Sequence, residues 1–307
     1  MSYLFLFPGQ GSQKVGMGAD LAQKFPAARA RFETADRILG RGLSTLCFSG
    51  PDEELKSTRN TQPALFTIEA AVSDILAENS VTPSCTAGHS LGEYSALYAA
   101  GVFSFEDGLK IVAKRGELMA DAGTARPGTM AAVIGLPVDR IAEVLGTVTD
   151  GVVVAANQNS PDQTVISGEV AAVGKACELL KAAGAKRALT LPVSGAFHSP
   201  LMQDAAERFA AFLEPFSFAD PRCPVIANVT ATAETGGAVI KGLLVRQLVS
   251  PVRWVESVAC MKTFDPVTML ETGPGAVLAG LVKKCDAALN VIPCGSAENI
   301  YSVTSSR

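Results

Sequence analysis

The chain has 307 residues, 48% of them hydrophobic and 18% charged, enough apolar material to build one large domain or two smaller ones and to exclude wholesale disorder. With 26 Lys and Arg against 30 Asp and Glu, the formal net charge is −4, so the basic excess expected of a nucleic-acid or anionic-membrane binder is missing. No apolar run approaches the ~20 residues of a bilayer span, and Ser2–Phe7 is too short for a signal peptide, lacks a basic start and stops at Pro8-Gly9.

Tyr3–Phe7 is a predicted strand, ended by the glycine-rich turn Pro8-Gly9-Gln10-Gly11-Ser12. Ala19–Phe32 reads as a helix. Pro63–Glu78 reads as a longer one, with Leu65, Ile68, Val72, Ile75 and Leu76 at helical spacing. Val81–Ala87 is a strand candidate interrupted by Pro83, Gly92–Ala100 a helix closed by Gly101, and Phe105–Asp121 a further helix. The rhythm then changes. Met130–Ile134 reads as a strand, Val138–Leu145 as a helix, Val152–Ala156 and Thr164–Ser167 as strands, Val170–Ala183 as a helix and Arg187–Leu191 as a strand. That order, β-α-β-β-α-β, is the split-βαβ or ferredoxin-like unit. Pro- and Gly-containing stretches bracket it, Thr124–Gly128 before and Pro192–Gly195 after. A helix, Leu201–Leu213, and a strand, Val225–Val229, resume the first rhythm. The expectation is an α/β fold: an α/β-hydrolase-like core made of residues 1–127 and 194–307, with a ferredoxin-like subdomain, 128–193, inserted into it. A cleft between the two is the natural ligand site.

Seven Cys are scattered, with no C-x-x-C pair and no metal-ligand spacing. Such a set predicts reduced thiols, a cytoplasmic protein and no metal site. Gly88-His89-Ser90-Leu91-Gly92 fits the G-x-S-x-G nucleophile elbow, with a strand candidate before it and a helix after it. Ser90 would then stand at a helix N-terminus, where backbone N–H groups favour developing negative charge. The alternative is a structural turn in a glycine-rich chain. A serine nucleophile needs a base, and the chain has two His. His89 adjoins Ser90, and neighbouring side chains on an elbow diverge. His198 is the distant candidate, although a lone His beside Phe197 is also an ordinary packed side chain. No carboxylate stands out as a third member. On the helix Phe105–Asp121, Arg115 falls about 60° from Val112, on the apolar side. A guanidinium there either snorkels out, pairs with an internal carboxylate, or waits as a fork for a substrate carboxylate. The Pro8–Gln13 loop lacks both G-x-G-x-x-G spacing and a Walker lysine, which disfavours a nucleotide site; a backbone N–H from it suits an oxyanion instead.

Together these residues resemble the malonyl-CoA:acyl-carrier-protein transacylase family, which includes a discrete enzyme of fatty-acid synthesis and the acyltransferases of polyketide synthases. Four motifs match in order: Phe7-Pro8-Gly9-Gln10-Gly11-Ser12-Gln13, Gly88-His89-Ser90-Leu91-Gly92-Glu93-Tyr94, Lys114-Arg115-Gly116-Glu117-Leu118-Met119 and Ala196-Phe197-His198-Ser199. Weaker matches are Asn60-Thr61-Gln62-Pro63, Asn159-Ser160-Pro161, Ser250-Pro251-Val252 and Glu271-Thr272-Gly273-Pro274-Gly275, so the resemblance runs from about Phe5 to about Leu281. It implies the same fold, an α/β-hydrolase-like core with an inserted ferredoxin-like subdomain.

The resemblance also implies roles. Ser90 is the acylated nucleophile and His198 its base. Arg115 pairs with the free carboxylate of a malonyl group, and the backbone N–H groups of Gln10 and Leu91 form the oxyanion hole. Gln247 stands where a carbonyl orients the histidine in place of an aspartate. Gln62 and Asn159 line the pocket, His89 shapes it beside the nucleophile, and Phe197 leaves little room for an α-methyl branch. The run Ser194-Gly195-Ala196-Phe197-His198 is similar to the discrete, trans-acting acyltransferases of polyketide assembly lines, which leaves fatty-acid and polyketide pathways both open. The implied reaction moves malonyl from malonyl-CoA to the phosphopantetheine thiol of an acyl carrier protein, by a ping-pong route through a malonyl-serine. It needs no metal or redox cofactor, and it implies a cytoplasmic monomer with no nucleic-acid or membrane partner. Lys181, Lys186, Arg187, Lys283 and Lys284 are candidates for a basic surface facing an acidic carrier, or are simply solvated. Two other readings share parts of the set: an acyl hydrolase or thioesterase, which has no use for Arg115, and a non-catalytic relative that only binds carrier protein.

Overall fold

The computed structural model describes residues 3–193, 195–264 and 268–305. Ser194, the first residue expected in the returning core and in the run before His198, lies outside them. The described strands are β1 (Tyr3–Phe7), β2 (Pro83–Gly88), β3 (Gly128–Ile134), β4 (Val153–Ser160), β5 (Gln163–Glu169), β6 (Arg187–Thr190), β7 (Val225–Ile226), β8 (Ala233–Glu234), β9 (Thr268–Glu271) and β10 (Val291–Pro293). They form two sheets of different kinds, so the fold is α/β with a small second sheet.

The larger sheet has the order β10-β9-β1-β2-β7-β8 and is parallel except for its last pair. All five residues of Tyr-Leu-Phe-Leu-Phe in β1 are buried. An uninterrupted apolar strand of this kind belongs in the middle of a parallel sheet, where helices cover both faces. Phe5 and Phe7 face one core with the long helix Thr58–Glu78; Leu4 and Leu6 face the other with Trp254 and Met269. The helix Thr58–Glu78 is buried nearly all round, as a helix at the centre of a large domain must be.

The smaller sheet has the order β4-β5-β3-β6 and is antiparallel throughout. With helices Val138–Leu145 and Val170–Ala182 it is the ferredoxin-like arrangement expected from the element order. The period-two alternation of β3 gives this sheet two apolar faces. Ala131 and Val133 point into a private core with Ile141, Val173 and Leu180, whereas Met130 and Ala132 point into the core of the larger unit. A short parallel bridge, Asn157 with Val252, ties the end of β4 to the main unit.

Three sequence expectations shift. Ala19–Phe32 is not one helix: Ala19–Lys24 and Pro26–Leu39 are separated by an extended Phe25 (φ −120°, ψ 118°), because proline disfavours the helical region for the residue before it and itself suits a first helical position. The second helix of the prediction starts at Thr58, five residues before Pro63. Pro63 has no N–H for the Arg59 carbonyl, and the Arg41 guanidinium takes that carbonyl instead (3.1 Å). The strand expected over Val225–Val229 stops at Ile226. The helices Gly237–Gln247, Trp254–Lys262, Val277–Cys285 and Ala297–Ser305 and strands β8, β9 and β10 carried no expectation.

The turn after β2 depends on close backbone approach. A Cβ on Gly88 would sit 1.9 Å from the Gly92 carbonyl carbon, and one on Gly92 would sit 2.0 Å from the Phe7 carbonyl oxygen. Both obstacles are backbone and cannot rotate away. Gly174, in the helix Val170–Ala182, would meet nothing within 4 Å. Gly92→Ala is therefore expected to destabilise by at least the ~1–3 kcal/mol of an overpacked core. Gly174→Ala is expected to stabilise by about 0.5–1 kcal/mol. Paired denaturant melts measure both; equal effects would show that the elbow tolerates side chains.

Candidate active site

The elbow at the end of β2 sets the site. His89 N–H donates to the Phe7 carbonyl (2.9 Å), continuing the β1–β2 pairing, and the chain then reverses into the helix Gly92–Ala99. Ser90 takes a left-handed φ of 54°, which a non-glycine residue adopts only when its surroundings impose it. Asn228, just beyond β7, imposes it. Its Oδ1 accepts the Ser90 N–H (2.7 Å), and its Nδ2 donates to the Gly88 carbonyl (2.6 Å).

His198 approaches from the other arm of the core. It too has a left-handed backbone (φ 56°), in a turn that Ser199 closes by donating Oγ–H to the Ala196 carbonyl (2.5 Å). His198 Nε2 lies 2.8 Å from Ser90 Oγ, and Nδ1 lies 2.8 Å from the Gln247 carbonyl oxygen. A carbonyl can only accept, so Nδ1 carries the proton and Nε2 is free to accept the Ser90 hydroxyl proton. The Gln247 carbonyl, at the end of helix Gly237–Gln247, thus meets the ring nitrogen that an aspartate meets in other serine triads.

Arg115 completes the centre. It is 0% exposed, and among the described residues no carboxylate comes within ion-pair distance of it. Neutral acceptors hold it: Nη1 donates to Gln62 Oε1 (2.9 Å), and Nη2 donates to Gln247 Oε1 (2.9 Å) and Ser90 Oγ (3.1 Å). Its guanidinium carbon lies 5.1 Å from the centre of the Tyr94 ring. The snorkelling and internal-pair alternatives are thereby excluded, and the side chain turns inward to a cavity of about 170 Å³. That is the space of roughly five or six waters, suited to a short acyl group.

Nine of the ten residues expected at the site line this cavity: Gln10, Gln62, His89, Ser90, Leu91, Arg115, Asn159, Phe197 and His198. The tenth, Gln247, lies directly behind it. Among the described residues the N–H groups of Gln10 and Leu91 meet no acceptor, which leaves them available to an oxyanion. His89 does not reach toward Ser90. Its Nε2 is 2.8 Å from Asn159 Oδ1, and its ring packs on Trp254. The insert supplies Met130, Asn157, Val165 and Leu191 to the same wall.

Sequence reasoning gave no role to Asn228, Glu93, Tyr94 or Trp254. Asn228 had a usable signal: it follows an apolar strand at the carboxyl edge of a parallel sheet, where ligand sites gather. Glu93 is 1% exposed, and its Oε2 accepts from Gln247 Nε2 (2.6 Å) and from the Asn228 N–H (3.0 Å). Burial pushes its carboxyl up to about 7, against the lowering influence of those two hydrogen bonds and of Arg115.

His198 is pushed down to about 3, first by burial and then by the Arg115 charge. The sign matters twice. The fold refuses a proton that the unfolded chain takes up near 6.5, so this residue's contribution to stability falls as pH drops below about 6.5 toward 3. The base, however, stays neutral throughout that window. We expect the rate of Ser90 acylation to hold between about pH 8 and pH 5 rather than halve near 6.5. Rapid-mixing acylation rates, with circular dichroism at each pH to verify the fold, test this; an acid limb at 6–7 would contradict it.

The acyl transferase domain family matches residues 4–298 of the chain. The malonyl CoA-acyl carrier protein transacylase of Bacillus subtilis (strain 168) is 48% identical over 298 residues, covering 96% of this chain and 94% of that protein. The structure of the malonyl CoA-acyl carrier protein transacylase from Coxiella burnetii superposes with a TM-score of 0.96 at 40% identity, covering 99% of this chain and 97% of that one. A malonyl-transacylase solved in complex with a holo acyl-carrier protein of a type II polyketide synthase superposes with a TM-score of 0.96 at 41% identity, covering 100% of both chains. The chain belongs to the acyl transferase domain family.

Proposed function

We propose that this chain transfers a malonyl group from malonyl-CoA to the phosphopantetheine thiol of an acyl carrier protein, with Ser90 carrying the acyl group between them. The observation that supports this most directly is the buried, unpaired Arg115 guanidinium, which opens onto the same small cavity as the Ser90–His198 pair. A guanidinium presents a planar fork to a carboxylate, and malonyl-CoA is a thioester with a carboxylate two carbons from its reacting carbonyl.

His198 Nε2 takes the Ser90 proton as Oγ attacks the thioester carbonyl. The N–H groups of Gln10 and Leu91 hold the oxyanion, and CoA leaves as the thiol by taking the proton from His198, which returns the imidazole to its neutral form. Esterification makes Oγ a poorer acceptor and releases the Arg115 Nη2–H that had rested on it. That donor becomes available to the malonyl carboxylate. The carrier's pantetheine thiol then loses its proton to His198 and attacks the malonyl ester, which restores Ser90. No step calls for a metal or redox cofactor. Within this reading, residues 128–193 form the inserted unit that closes the cavity over the core formed by residues 1–127 and 194–307. The protein acts as a cytoplasmic monomer, and its exposed Lys181, Lys186, Arg187, Lys283 and Lys284 face the carrier. No described helix is long and apolar enough to cross a membrane.

Two substitutions test the reading. Ser90→Ala is expected to abolish the mass gain after incubation with malonyl-CoA; persistent labelling would place the acyl group elsewhere. Arg115→Ala removes the carboxylate's partner, at about 3–5 kcal/mol for a buried charged pair, so malonyl kcat/KM should fall about 10²–10³-fold while acetyl kcat/KM changes little. Arg115→Lys should recover only part of the loss, because an ammonium has no fork. Equal losses for the two donors would make Arg115 a structural residue and defeat the proposal.

A further inference from the structure

Gln247 has two jobs. Its backbone carbonyl orients His198, and its side-chain amide bridges Arg115 to Glu93. The amide can point either way round. As observed, Oε1 accepts from Arg115 Nη2 (2.9 Å), while Nε2 donates to Glu93 Oε2 (2.6 Å) and to the Ser90 carbonyl (3.0 Å). Reversed, it would set an NH₂ against the guanidinium and an oxygen against the carboxyl, opposing donor to donor and acceptor to acceptor. On the side away from Arg115, Nε2 meets three acceptors, Glu93 Oε2 (2.6 Å), the Ser90 carbonyl (3.0 Å) and Asn228 Oδ1 (3.4 Å), and Glu93 gives the shortest of these contacts. Glu93 cannot adapt either, because the rigid backbone N–H of Asn228 requires the same Oε2 to be an acceptor (3.0 Å).

We propose that Glu93 is a positioning residue for donor selectivity: together with the Ser90 carbonyl it holds the direction of the Gln247 amide and so keeps an acceptor beneath the Arg115 fork. The inference rests on the reading that Arg115 pairs with the malonyl carboxylate. The groups that face Glu93 from the elements around it are Arg115, Gln247, the Asn228 N–H and, more remotely, Glu234 of β8. The device does not depend on the charge of Glu93. A proton on Oε1 leaves Oε2 an acceptor for both donors, so the amide keeps its direction whether or not the carboxyl is ionised.

That independence gives the test. Glu93→Gln keeps an acceptor oxygen, which the Asn228 N–H will hold in the Oε2 position. Glu93→Met keeps most of the volume and removes the acceptor. We would measure kcat/KM for malonyl-CoA and acetyl-CoA on the wild type, on both variants and on Arg115→Ala. The Gln variant is expected to retain the malonyl-to-acetyl ratio of the wild type. The Met variant should lose malonyl kcat/KM about 10-fold or more, chiefly through KM, the size of effect expected for a hydrogen bond to a charged group, with a clearly smaller loss for acetyl transfer. Equal losses for both donors in the Met variant would mean a purely structural role and overturn the inference. So would a Gln variant as poor in malonyl transfer as the Met variant, and that result decides the matter even if the Met variant does not fold. Arg115→Ala serves as the separate control: if it loses both donors alike, the malonyl reading itself fails, whatever the Glu93 variants do.

Discussion

A guanidinium taken wholly out of water and given no ion-pair partner is the constraint around which this site is arranged. Desolvation alone lowers the pKa of Arg115, and the Tyr94 ring and the Glu93 carboxyl oppose that shift. An ordinary core would bring a carboxylate into contact. Here Gln62, Gln247 and Ser90 supply neutral oxygens instead. They meet the geometric need of the fork and leave its charge largely uncompensated. The free site is thus held in a state that an incoming carboxylate improves. Burial, and after it the same charge, keeps His198 neutral, since a second cation so close would be costly.

The two reacting side chains share a second constraint. Ser90 and His198 both sit in left-handed backbone, φ 54° and 56°, where non-glycine residues carry about 1–3 kcal/mol of strain. Each is held by a neighbour that uses the strained geometry. Asn228 clamps the elbow at both its entrance and its nucleophile, while Ser199 closes the turn at His198. Gln247 joins the two arms, since its side chain touches the Ser90 carbonyl and its backbone touches the His198 ring. The Oγ–Nε2 distance of 2.8 Å is therefore set by backbone positions on separate elements rather than by side-chain choice.

Local chemistry explains which parts were readable beforehand. Gly88 and Gly92 announce the elbow around Ser90 because the close backbone approach leaves no room for a Cβ at either, and the β-α-β-β-α-β order announces the insert because its strands alternate cleanly. Arg115 was conspicuous as a charge on an apolar face. What stayed hidden is what depends on distant chain segments. Phe25-Pro26 carried a local break signal that helical periodicity masked. The tolerance of Pro63 inside a helix needed Arg41, twenty-two positions away, to take the Arg59 carbonyl. Strand β9, Thr-Met-Leu-Glu, is short and ends in a buried Glu271 that accepts the Leu278 and Ala279 N–H groups (both 2.8 Å). No pattern within four residues distinguishes it from a loop. Asn228 holds the elbow, and Glu93 meets Gln247 and Asn228, through hydrogen bonds to partners more than one hundred positions away in sequence, so these contacts are properties of the assembled fold.

The small sheet adds a wall to the reactive surface and makes it a cavity. The elbow, the base and the guanidinium all belong to the larger unit, and by themselves would face solvent at the edge of a sheet. The alternation of β3 and β5 sends Met130 and Val165 across the gap, while Ala131 and Ile166 stay in the insert's own core. Those apolar side chains lower the local dielectric beside the charged floor, and charge interactions strengthen as it falls. A malonyl ester waiting for its second thiol must outlast hydrolysis. Among the described residues, no carboxylate lines the cavity to activate a water. Glu93, the acid closest to the centre, is turned away behind Gln247 with its acceptor oxygen already committed. The network that holds Arg115 thus also keeps the Glu93 carboxyl off the cavity wall.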